Sequence, residues 1–99
     1  MSFEISIEAE PGRLVTATLS VSNPSLIVGR SKKADLATTN RTVSREHAEF
    51  RLEHGAVAVR DLDSTTGTFQ NGKRIQNCVV DLGDTVTCGK LEVRIRQMT

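Results

Sequence analysis

Aromatic residues are nearly missing from this chain of 99 residues, which has no tryptophan, no tyrosine and three phenylalanines. Sequence-tolerant binding of single-stranded nucleic acid stacks bases on aromatic faces, so Phe3, Phe50 and Phe69 offer that function little, the more so as Phe3 and Phe50 belong to apolar faces. Cysteine is as sparse. Cys78 and Cys88 have neither CxxC spacing nor a nearby histidine, which argues against a zinc site or a disulfide scaffold; both are expected to be reduced, buried strand residues. No apolar run approaches the length of a membrane span, and an N-terminus carrying Glu4, Glu8 and Glu10 lacks the basic start of a secretory leader. An intracellular, cytoplasmic domain with no membrane, nucleic-acid, metal or cofactor partner is therefore expected. The net charge of +1 supplies no global field, so any preference for anions has to come from local clustering.

Catalytic signatures are also thin. Ser44 and His47 with Asp61 or Asp63 supply the residue types of a Ser-His-Asp triad, but no Gly-x-Ser-x-Gly elbow presents the serine. The plainer role for His47 is to hydrogen-bond backbone and fix its loop. A phosphate-binding loop of the nucleotide hydrolases fails on spacing: five residues separate Gly83 from Gly89-Lys90 where four are needed, and Leu91 replaces the magnesium-binding hydroxyl. A non-enzymatic binding module is the expectation.

What the chain does have is alternation. Phe3, Ile5 and Ile7 alternate with Glu4, Ser6 and Glu8; Ala48, Phe50 and Leu52 with Glu49, Arg51 and Glu53; Leu91, Val93 and Ile95 with Lys90, Glu92, Arg94 and Arg96. Each stretch reads as a strand with one face on a core and one in water. Residues 14–19, 26–28, 56–59 and 85–88, rich in Val and Thr, add further strands. Turn signals recur at Pro11-Gly12, Asn23-Pro24, His54-Gly55, Asn71-Gly72 and Gly83-Asp84, and Asn71-Gly72 suits a two-residue type I′ hairpin. No window keeps an amphipathic-helix pattern. One domain over residues 1–99 is expected, an all-β antiparallel sandwich of short strands.

The remaining polar residues cluster. Between Arg30 and Arg45 the chain carries Arg30, Lys32, Lys33, Arg41 and Arg45 against the single acid Asp35. Gly29-Arg30, Ser44-Arg45-Glu46-His47, Asp63-Ser64-Thr65-Thr66-Gly67-Thr68-Phe69 and Asn71-Gly72 put a guanidinium, several hydroxyls and turned backbone on the segments between strands, which is equipment for gripping a phosphate. In order and spacing, from about Leu26 onward, these four motifs resemble the forkhead-associated (FHA) domain. The resemblance implies an eleven-stranded sandwich whose loops at one end read phosphothreonine in a partner modified by a Ser/Thr kinase. It implies that Arg30 and Ser44 bind the phosphate, that Arg45 assists, that Thr65 lies beside it, and that Gly29, His47, Gly67, Asn71 and Gly72 shape the loops. Thr66 is a departure. The family usually places there an asparagine whose amide holds the peptide backbone, and a threonine hydroxyl is shorter with one donor instead of two. A second reading is a phospho-independent interaction or self-assembly module on the same fold.

Overall fold

A computed structural model describes residues 1–98. The strands are β1 (Ser2–Glu10), β2 (Arg13–Leu19), β3 (Ser25–Gly29), β4 (Leu36–Ala37), β5 (Ala48–Glu53), β6 (Ala56–Asp61), β7 (Thr68–Gln70), β8 (Lys73–Ile75), β9 (Asn77–Val80), β10 (Val86–Cys88) and β11 (Leu91–Met98). They form a six-stranded sheet in the order β2-β1-β11-β10-β7-β8 and a five-stranded sheet in the order β4-β3-β5-β6-β9.

The alternation decides which faces meet. Phe3, Ile5 and Ile7 of β1, Val86 and Cys88 of β10, and Leu91 and Val93 of β11 line the inner face of one sheet. Leu26 and Val28 of β3, Phe50 of β5, and Val57 and Val59 of β6 line the other, and all of these side chains are buried. Fully burying one such side chain contributes about 1.5–3 kcal/mol, so this contiguous core holds the sandwich closed without disulfides. Every strand expected from alternation is present. The hairpin at Asn71-Gly72 is too: their φ values of 51° and 82° fit the type I′ turn.

Three features depart from expectation. The sandwich is not wholly antiparallel, because β4 runs parallel to β3, with Val28 opposite Leu36 and Gly29 opposite Ala37. A two-residue strand is too short to display a period, and its pairing follows from the return of the 30–35 loop. Strand β9 escapes the alternation argument as well, since Val79 on its outer face is exposed. Cys78 lies on that terminal strand and is only partly buried, whereas Cys88 is fully buried and its thiol is pushed up to about 12 by desolvation.

Candidate functional site

Strand directions bring four loops to one end. β3 ends at Gly29, β5 begins at Ala48, β6 ends at Asp61 and β10 ends at Cys88, so the segments 30–35, 38–47, 62–67 and 89–90 are neighbours there. Backbone bonds tie them together: Arg30 N–H donates to Ser44 O at 3.0 Å, Ser31 N–H to Arg45 O at 3.1 Å and Gly89 N–H to Gly67 O at 2.9 Å. Gly29 permits the close approach of the 45–46 backbone, because a Cβ at that position would run into the Arg45 carbonyl.

His47 is fully buried and joins two of the loops. Ser44 N–H donates to its Nδ1 at 2.9 Å, so Nδ1 carries the lone pair and the proton resides on Nε2, which donates to Gly67 O at 2.8 Å. Desolvation by burial lowers its pKa below the ordinary 6.5, against the opposing pull of the Gly67 bond and the Asp61 charge. Both ring nitrogens are thereby committed to backbone. Neither is free to take a proton from the Ser44 hydroxyl, and a catalytic triad has no base.

The 62–67 turn is built on Asp61. Its carboxylate accepts from Ser64 N–H at 3.0 Å, Ser64 Oγ at 2.5 Å and Thr68 Oγ1 at 2.7 Å, and Ser64 Oγ accepts in turn from Gly67 N–H at 3.0 Å. Burial acts to raise the Asp61 carboxyl, but these donors outweigh it and hold the group below its usual range. The three hydroxyls of Ser64-Thr65-Thr66 are therefore not equivalent. Ser64 is buried against Asp61, and Thr66 Oγ1 donates to Thr42 O at 2.5 Å. Only Thr65 keeps its hydroxyl without a partner among the described residues.

Around this frame the expected phosphate ligands remain unspent. Arg30 is exposed, and its Nε donates to Val43 O at 2.5 Å, which fixes the guanidinium while its two terminal nitrogens have no partner among the described residues. Ser44 Oγ accepts from Thr65 N–H at 3.1 Å, so its own proton is available to a ligand. Arg45 is exposed on the same loop. The structure thus brings Arg30, Ser44, Arg45, Thr65, Thr66, Gly29, His47 and Gly67 to one end, with Thr66 tied to Thr42.

Asn71 and Gly72 do not join them. β7 leaves the site at Thr68 and reaches Asn71 at its other end, where Asn71 Oδ1 accepts from Thr85 N–H at 2.8 Å and Nδ2 donates to Asp84 at 3.0 Å. Asn71 braces the β9–β10 turn at the opposite end and Gly72 completes the β7–β8 hairpin there, a correction to the expected support of the phosphate loops. Conversely, motif reading gave no ligand-loop role to Thr42, which accepts from Thr66 and whose Oγ1 accepts from Lys90 N–H at 2.9 Å. The signal available for it was weak: a hydroxyl residue two positions before Ser44.

Comparison with known proteins places this geometry in a family. The FHA domain model matches residues 26–89, and the chain belongs to the FHA domain family. It is 40% identical over 70 residues to the glycogen accumulation regulator GarA of Mycolicibacterium smegmatis, covering 71% of this chain and 44% of that protein. It is 36% identical over 70 residues to the oxoglutarate dehydrogenase inhibitor of Corynebacterium efficiens, covering 71% and 49% respectively. The chain thus spans less than half the length of these curated relatives. Among solved structures, it superposes with a TM-score of 0.84 and 28% identity, over 100% of this chain and 99% of the other, on a domain studied for phosphothreonine-dependent FHA interactions.

Proposed function

We propose that this domain is a non-catalytic adaptor that binds phosphothreonine in an extended segment of a partner protein marked by a Ser/Thr kinase. The observation that carries the reading is the state of Arg30: held through Nε to the Val43 carbonyl and through its N–H to the Ser44 carbonyl, it presents two terminal nitrogens that, like the Ser44 hydroxyl proton, have no partner among the described residues. Two parallel N–H donors match two oxygens of a dianionic phosphate, and Ser44 serves a third. Arg45 adds charge from the same loop, and Thr65 closes the side nearest Ser44. Kinship with a domain described as phosphothreonine-dependent supports the same chemistry. The relatives named as regulators of glycogen accumulation and oxoglutarate dehydrogenase suggest a metabolic enzyme or regulator as the partner, in the cytoplasm.

Peptide titration by calorimetry tests this directly. Phosphothreonine peptides should bind at roughly 1–100 μM, as befits a small contact centred on one phosphate, and the same sequences with plain threonine should not bind measurably. Equal affinity for the two forms would replace the proposal with the phospho-independent reading.

A further inference from the structure

We propose that β2 is a docking edge for a second copy of this chain, the two β2 strands pairing antiparallel about Thr16 to make one continuous sheet. β2 ends the six-stranded sheet and pairs only with β1. Terminal strands expose unpaired N–H and C=O groups and are usually blunted by brevity, charge or proline. The other three fit that habit: β4 has two residues, β9 has four, and β8 has three and carries Lys73 and Arg74. β2 does not, because it runs for seven residues, and no ionisable side chain or proline follows Arg13 within it. Asn23 Nδ2 donates to Thr18 O at 3.0 Å, the one side-chain bond to the β2 backbone among the described residues.

The sequence of the strand complements itself. Residues opposite one another in an antiparallel pair share a face, so a two-fold axis at Thr16 sets Thr16 against Thr16, Val15 against Ala17, Leu14 against Thr18 and Arg13 against Leu19. No charge meets its own kind. Val15 and Ala17 pack on the core yet stay partly open at this edge, and a second strand would continue that layer over both. On the outer face Leu14 is 63% exposed and would gain a neighbour in the partner's strand. β2 runs from the loop end at Arg13 towards the far end at Leu19, so antiparallel copies point their loop ends in opposite directions and neither obstructs the other.

Sedimentation equilibrium of this chain from ~10 μM to ~1 mM should show a rise from monomer towards twice the monomer mass, the concentration range in which a small interface half-fills. Thr16→Lys, at an exposed position, should keep the melting temperature and circular dichroism of the parent while weakening association at least about tenfold, since two ammonium groups would face each other across the axis. In Thr16→Cys the paired Cβ atoms would lie about 4.5–5.5 Å apart, near enough for mild oxidation to yield a covalent dimer that Ser22→Cys does not give. A chain that stays monomeric throughout, which would leave the edge to a strand of some other protein, overturns the proposal. So does a dimer that Thr16→Lys leaves intact.

Discussion

Replacing His47 with alanine tests whether the loop end is built by backbone satisfaction rather than by contact with ligand. The imidazole is fully buried and bridges Ser44 N–H to the Gly67 carbonyl. Its loss strands the Ser44 N–H, at a cost of about 1–3 kcal/mol, whereas Gly67 O still receives Gly89 N–H and loses less. The cavity left by the ring adds about 1–3 kcal/mol, depending on how far the loops collapse into it. The sum, about 2–6 kcal/mol, should lower the melting temperature by roughly 10–45 °C in a domain of this size. His47→Gln, which can still accept with one atom and donate with another, should recover part of the loss. Scanning calorimetry with a phosphothreonine-peptide titration on each variant is the assay. A variant that melts like the parent but no longer binds peptide would refute the reasoning, because it would place His47 against the ligand.

The same ring predicts a pH dependence with a definite sign. Ser44 N–H points at Nδ1, so protonating that atom sets one N–H against another. The folded state therefore holds the proton less tightly than the unfolded chain, in keeping with the lowered pKa. A group depressed in this way contributes its full stability above the unfolded value of 6.5 and loses it as pH falls from there through the folded value. Stability should decline on acidification below 6.5 in the parent and stay level through the same window in His47→Gln. Unfolding is the better readout, because phosphate itself gains a proton near pH ~6.

Arg30→Ala should remove measurable phosphopeptide binding, a loss of roughly 2–5 kcal/mol, with little change in melting temperature, and Arg30→Lys should restore little because an ammonium lacks the planar fork; retained binding by calorimetry would move the site elsewhere. Gly29→Ala should disrupt folding or shift the 44–46 segment, visible as lost amide dispersion in an NMR spectrum, because its Cβ has no room beside the Arg45 carbonyl; a native-like spectrum would contradict that close approach. Thr66→Asn supplies two N–H donors, one for the Thr42 carbonyl and one for a bound peptide, and should tighten phosphopeptide binding by roughly 0.5–1.5 kcal/mol; unchanged or weaker affinity across several peptides would withdraw any peptide-facing role for position 66.

The fold was readable where a physical period was long enough to count. β1, β5 and β11 each show three or more apolar residues on one face, and that face is the core. β4 and β9 were not readable, since two to four residues held in place by their neighbours carry no period of their own. The positions of Arg30, Ser44 and His47 were legible because they recur in local motifs. Which hydroxyls were free was not: Thr66 is spent on a carbonyl 24 positions away, and Lys90 N–H reaches a hydroxyl 48 positions away. Only folding decides such pairings.

Those pairings bear directly on function. A phosphate-binding end needs donors that are both held in place and unsatisfied, two demands that conflict unless other groups do the holding. Here Val43 O holds Arg30 through Nε, Thr65 N–H holds Ser44 through a lone pair, and His47 and Asp61 absorb the turned backbone behind them. Among the described residues this leaves two Arg30 guanidinium nitrogens, the Ser44 proton and the Thr65 hydroxyl without partners on adjoining loops. A cation beside neutral donors, with Arg45 exposed on the same loop, favours a compact dianion over a neutral side chain or a single carboxylate. On the proposed reading, the buried residues behind this end matter as much as those that would touch the ligand, because they hold Arg30 and Ser44 in place without taking their remaining donors.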